Sequence, residues 1–322
     1  MDFTELIDLA SERLGGAVVV ANDDFFAPKE NLLKTSAPVF IEGKYTDRGK
    51  WMDGWETRRR RTPGFDWCII RLGLPGIVRG VVVDTSFFRG NYPEHCSLDG
   101  ASFNGLPTEA ELTSDDVQWA PLLPQMPLNG DSQNPFPINH EGRITHLRFR
   151  IFPDGGVARL RVYGEVVPDW EQLKRAGGQI DLAAAENGAL VLSCSDMFFG
   201  HRHNLIMPGR AADMSDGWET KRRRGPGHDW VIIKLARRGH IRRVEVDTAH
   251  FKGNFPESCL LEACTDLSAP WTTVLPRTKL QAHTRHFYDQ ELQDTGDASH
   301  LRFSIFPDGG VSRLRVYGTL VD

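Results

Sequence analysis

The chain has little of what would mark a secreted, membrane-bound or nucleic-acid-binding protein. No apolar run approaches the length of a membrane span, and the opening MDFTELIDLASERLGG is acidic and amphipathic, with no signal-type apolar core. There are five cysteines, Cys68, Cys96, Cys194, Cys259 and Cys264. Their number is odd and none stands in a CxxC pair, so they read as reduced thiols and the expected compartment is the cytoplasm. No excess charge of one sign is present: 38 basic against 43 acidic residues leaves −5, which argues against nucleic-acid or membrane partners. GxSxG, HExxH, P-loop and dinucleotide patterns are all absent.

What the chain does have, it has twice. Asp53–Leu72 reads DGWETRRRRTPGFDWCIIRL and Asp216–Leu235 reads DGWETKRRRGPGHDWVIIKL, identical at 15 of 20 positions. His146–Gly164 recurs as His300–Gly318 with 17 of 19 identical. Ile7–Ala10 recurs at Ile180–Ala183, and Gly16–Phe26 matches Ala189–Phe199 loosely. Repetition on this scale means two copies of one domain, and we set them at 1–168 and 169–322. The first copy carries about ten extra residues before Asp53. It carries about nine more that we place in the Pro- and Asn-rich stretch around Pro121–Asn139, expected to be a surface loop.

The elements read mostly as strands. Trp67–Leu72 and Val78–Asp84 are short β-rich runs, and Leu147, Phe149 and Ile151 alternate with Arg148 and Arg150. PDGG at Pro153–Gly156 followed by RLRVYG predicts a hairpin with arginines on one face. Helical pattern is confined to Phe3–Leu14 and to Trp170–Ala176, the latter capped by Asp169. Many short strands between turn signals predict an all-β protein: two tandem jelly-roll β-sandwiches. The order of motifs, from Asp-Gly through V-D-T and G-N-[FY]-P to R-L-R-V-Y-G, resembles galactose-binding-like sandwiches.

The basic runs Arg58–Arg61 and Lys221–Arg224 are the sharpest chemical feature. On an extended segment alternate members face opposite ways, so some would pair with Glu56 and Glu219 and others would enter a pocket. The competing reading is a solvated, salt-bridged strand. Asp53 and Asp216 stand in Asp-Gly turn chemistry; a structural calcium would need further oxygens. The histidines break the symmetry, with His228 over Phe65 and His250 over Phe87. An imidazole suits proton transfer near neutrality, which tilts function toward the second copy. His201 and His203 could share one strand face as a metal pair. His146 and His300 occupy equivalent places and read as structural.

DGWETRRRR, PGxDWxIIRL, VDTxxFxGN[FY]P and HLRFxIFPDGGVxRLRVYG together resemble the allantoicase family over nearly the whole chain. That resemblance implies hydrolysis of allantoate to ureidoglycolate and urea in purine nitrogen recovery, by a self-associating enzyme. It permits a divalent cation such as Mn²⁺, for which no ligand motif is visible. The substrate has one carboxylate and two ureido arms on one carbon. It calls for an arginine fork, acceptors for the ureido N–H groups, and a proton donor and base. The candidates are Glu219, His228 and His250 for catalysis, with Arg222, Arg223, Arg58, Arg59, Lys252 and Asn254 for binding. Phe65 stands where the family pattern has histidine. A different class remains open: a non-enzymatic tandem sandwich that binds carbohydrates or small ligands.

Overall fold

In the computed structural model, which describes residues 2–321, the chain divides into two units, Met1–Val167 and Pro168–Asp322. Each is a jelly-roll sandwich of antiparallel strands with the same order. The organising element is a 19-residue strand, Asp66–Asp84 in the first unit and Asp229–Asp247 in the second. Its first half pairs with Ala17–Ala21 on one side and Ile144–Phe152 on the other. Its second half pairs with Arg159–Val166 and Gln133–Pro137. One strand thus serves both layers, switching at Gly73–Gly76, where the Ile144–Phe152 register slips. The runs Trp67–Leu72 and Val78–Asp84, expected as separate strands, are therefore one strand, continuous through Gly73–Gly76.

Three further expectations are corrected. The PDGG turn does not close a hairpin: Ile144–Phe152 and Arg159–Val166 pair with opposite halves of the long strand and not with each other. The turn therefore crosses between layers, and alternation alone could not reveal that. Phe3–Leu14 is not a helix. Two 3-10 turns, Phe3–Glu5 and Glu12–Leu14, flank Ile7–Asp8, which pairs with the closing strand. Ile7, Leu9 and Ala10 are all buried, and sheet pairing overrides the helical pattern. Pro121–Asn139 is no loop but holds strands Ala120–Pro127 and Gln133–Pro137. The extra length falls earlier, between Ala101 and Ala120, and includes a five-residue helix, Glu109–Thr113, with a Thr108/Glu111 capping box. The helix Trp170–Ala176 is present, with Asp169 capping the N–H of Gln172.

The DGWET motif can be read residue by residue. Asp53 Oδ2 accepts from Arg159 Nη2 at 2.8 Å. The same fully buried guanidinium donates to the carbonyls of Ser36, Asp53 and Ala158. Burial pushes the Asp53 carboxyl up, and the Arg159 hydrogen bond, the Val39 N–H and the charges of Arg159 and Lys34 together more than offset it, leaving the group below the usual carboxylate range. Gly54 has no room for a side chain, since a Cβ would lie 2.5 Å from the Val157 carbonyl. Trp55 fills the core and donates its indole N–H to the Asp23 carbonyl. In the second unit Asp216 and Arg313 repeat the ion pair at 3.0 Å, and Trp218 donates to the Asp196 carbonyl.

Breaking one partner of a buried pair strands the other charge. Arg159→Met should cost about 3–5 kcal/mol in urea unfolding. Combining it with Asp53→Asn should cost less than the sum of the single changes. A single-variant cost under about 1 kcal/mol, typical of an exposed pair, would mean that the pair does not hold the sheet ends together.

Candidate active site

Strand alternation sends Trp218 inward and therefore Glu219 outward. The backbone of Glu219 is fixed by Gly200: its N–H donates to the Gly200 carbonyl, and its carbonyl accepts the N–H groups of Phe199 and Gly200. Across from it, Asn254 is fixed by the PDGG turn, whose Gly310 N–H donates to the Asn254 carbonyl at 2.8 Å. Gly309, at φ +133°, passes so close that a Cβ would meet the same oxygen at 2.6 Å. The Asn254 amide then donates to Glu219 Oε1 at 2.5 Å. The first unit repeats each step. Gly156 N–H donates to the Asn91 carbonyl, and Asn91 Nδ2 donates to Glu56 Oε1 at 2.7 Å. So G-N-[FY]-P and PDGG, far apart in sequence, are the two walls that present one Glu–Asn pair.

In the second unit this pair borders a pocket of about 650 Å³ whose lining includes Arg222, Arg223, Phe255 and Lys279. In the first unit it borders one of about 440 Å³ with Lys50, Met52, Phe87 and Arg89. Burial raises the Glu56 carboxyl above its ordinary range, and the Asn91 hydrogen bond offsets only part of that.

The basic run is neither a strand nor a partner for Glu56 or Glu219. It is an irregular segment whose members divide their work. Arg58 pairs with Asp23 at 3.0 Å, and Arg60 with Asp66 at 2.7 Å. Arg223 gives its guanidinium to Asp229 at 2.5 Å and its N–H to Asp308 of the PDGG turn. Arg222, exposed on the pocket, makes no hydrogen bond or ion pair among the described residues. Its counterpart Arg59 is exposed too, but does not line the first pocket.

Of the sequence candidates, then, Glu219, Arg222, Arg223 and Asn254 converge. The histidines do not join them. His228 is half-buried with its ring 4.6 Å from that of Phe306, where Phe65 packs on Phe152 in the first unit. Phe65 lines a separate pocket with Trp67 and Arg148, away from Glu56. His250 sits in left-handed backbone at φ 69°, as Phe87 does. Its N–H donates to His283 Nδ1, and its Nε2 lies 3.0 Å from the Ala211 carbonyl, so that nitrogen is the donor. Lys252 is exposed and outside the pocket lining. His201 and His203 are not on a strand: His201 caps the 3-10 helix Arg202–Ile206. Burial pushes buried His203 down to about 3, which keeps it neutral. Among the described residues no three His, Cys, Asp or Glu side chains are grouped to hold a metal. The Asp53 and Asp216 loops that calcium would use already hold guanidinium groups. Sequence reasoning missed Phe255, the aromatic of the G-N-[FY]-P block itself, and Lys279, which ends the strand Thr272–Lys279 and had no motif to mark it.

Comparison with known proteins agrees with the repeat. The family profile of the allantoicase repeat matches residues 7–167 and again 180–321. The allantoicase of Dictyostelium discoideum is 49% identical over 99% of this chain and 88% of its own length. A probable allantoicase of Ralstonia nicotianae is 50% identical over 99% of this chain and 96% of its own. The crystal structure of the Saccharomyces cerevisiae allantoicase superposes with a TM-score of 0.84 at 38% identity, covering 97% of this chain and 92% of that one. Both repeats and nearly every residue between them are accounted for, and the chain belongs to the allantoicase family.

Proposed function

We infer that the chain hydrolyses allantoate to ureidoglycolate and urea in purine catabolism, and that the second pocket carries the reaction. The family carries the chemistry. The observation that supports the location is the fixed Glu219–Asn254 pair beside the uncommitted Arg222. The Arg222 fork suits the substrate carboxylate, with two parallel charge-assisted hydrogen bonds. The Glu219 carboxylate and the Asn254 amide oxygen are acceptors for ureido N–H groups. In the reaction water oxygen bonds to the central carbon, one carbon–nitrogen bond breaks, and a proton passes from the water to the departing urea nitrogen. The Glu219 carboxylate, beside that carbon, can do both transfers, taking the proton as base and returning it as acid. Asn254 holds the carboxylate in one orientation while it does so.

A resident divalent cation has no grouped donor set among the described residues, so no step is assigned to one. The reading of the protein as a non-enzymatic binding module shares only the sandwich with this chain and lacks any support from its relatives. Self-association and a cytoplasmic location belong to the same proposal. Five cysteines, odd in number and without a CxxC pair, suit a reducing compartment. The exposed pair Phe198 and Phe199, 70% and 62% exposed, suits a covered face in an oligomer.

Purified protein should release urea from allantoate, with or without added Mn²⁺, and none from the closed-ring allantoin. No urea from allantoate under either condition would refute the reading. Glu219→Gln should lower kcat by roughly 10²–10⁴-fold, the usual worth of acid–base catalysis. Arg222→Ala should chiefly raise KM if the contact is equal in ground and transition states. His228→Phe, which installs the first unit's own residue against Phe306, should leave kcat within about twofold, since the ring lies outside the lining of the Glu219 pocket and the exchange keeps its packing. A large loss in His228→Phe with normal turnover in Glu219→Gln would return proton transfer to the histidine. Light scattering at micromolar concentration should give a multiple of 36.2 kDa; the monomer mass alone would refute self-association.

A further inference from the structure

We propose that the first unit holds a second ureide-binding pocket, built on Glu56 and Asn91, so that each chain carries two ligand sites. The proposal rests on reading the Glu219–Asn254 pair as a ureide contact. Its evidence is in the first unit itself.

Glu56 receives one hydrogen bond, from Asn91 to Oε1, and no cation pairs with it among the described residues. Its second oxygen is left without a partner on the edge of the 440 Å³ pocket. A partly buried carboxylate without a counter-charge is costly, and the raised affinity of Glu56 for a proton reflects that cost. A terminal ureido group would relieve it, because its two N–H groups point the same way and match the two lone-pair directions of a carboxylate. The Asn91 amide oxygen is a further acceptor, and its remaining N–H can reach a ureido carbonyl. The cation for a ligand carboxylate is Lys50, which lines the pocket and rests its ammonium 4.6 Å above the Phe40 ring.

Lys50 comes from a piece of chain that the second unit lacks. The extra residues before Asp53 form a small hairpin, Tyr45–Thr46 with Gly49–Lys50. It is tied down by Arg48, which donates to the Phe25 carbonyl at 3.0 Å, and closed at its base by the Trp51 N–H, which donates to the Lys44 carbonyl. Phe40 stacks on Phe87 with ring centroids 5.8 Å apart, closing the rim. Phe25 is 38% exposed beneath this roof, whereas its counterpart Phe198 is 70% exposed. The first pocket is the smaller of the two, about 440 against 650 Å³. It takes its cation from the hairpin, where the second pocket takes Arg222 from the basic run. Its ligand class is the same: a small carboxylate bearing a ureido arm.

Isothermal titration of the full chain with N-carbamoylglycine tests this. The probe has one ureido arm and one carboxylate, and no second ureido group to expel. Two moles should bind per chain. Glu56→Gln should remove one binding step or weaken it at least tenfold, and Glu219→Gln the other. The step that survives in each variant shows that the protein is folded. Lys50→Met, on the surface hairpin, should weaken only the step that Glu56→Gln removes. One mole in the unaltered protein, retained in Glu56→Gln and lost in Glu219→Gln, would overturn the proposal. One mole lost in Glu56→Gln and retained in Glu219→Gln would uphold it and overturn the assignment of the second pocket. No binding at millimolar probe would overturn both.

Discussion

The buried guanidinium of Arg159, and of Arg313 in the second unit, is the contact on which each sandwich depends. It joins the start of the closing strand to the Asp-Gly loop by one carboxylate and several backbone carbonyls. Those are the oxygen donors a structural cation would use, and a side chain takes the cation's part. A lone buried charge would be prohibitive, and even a pair recovers its desolvation only when its remaining donors are also satisfied. Here the carbonyls supply those partners. With the loop pinned, Trp55 and Trp218 can only point into the core, and Glu56 and Glu219 can only point out of it.

The functional consequence is a carboxylate placed by rigid elements and not by a mobile loop, which is what a productive geometry needs. The Glu strand is held by the Ala27 or Gly200 bridge, and the Asn by the PDGG glycines. The two units then diverge only around that fixed pair. The first adds a hairpin that brings Lys50 to its pocket; the second has no such hairpin and lines its pocket with Arg222. One scaffold thus supports two pockets that differ in size and in the source of their positive charge.

Much of the fold was legible because repetition and period-2 alternation are local signals. The duplication, the sandwich class and the Asp169-capped helix all follow from short stretches of sequence. Partner choice is not local. RLRVYG looks the same whether it pairs across the PDGG turn or with the far end of Asp66–Asp84, and only the layer crossing decides. The site was half legible for the same reason. Glu219, Arg222 and Asn254 sit inside repeated blocks and were singled out. His228 and His250 drew attention by breaking the repeat, yet each difference is answered nearby: His228 packs on Phe306, and His250 is matched by His283 where the first unit has Phe87 and Asp131. A broken symmetry marks a changed contact, and the changed contact here is packing and backbone capping. The four-cation runs could not be sorted from sequence, because their members look alike until Asp23 and Asp66 claim two in the first unit and Asp196 and Asp229 two in the second.

The central claim is that hydrolysis occurs where Glu219 and Asn254 meet Arg222. The most direct test is a crystal structure of the Glu219→Gln protein soaked with allantoate. The account predicts substrate in the second pocket, its carboxylate on the Arg222 guanidinium and a ureido arm against Asn254 and the substituted side chain. Substrate bound instead against His228 and Phe306, with the Glu219 pocket empty, would contradict it.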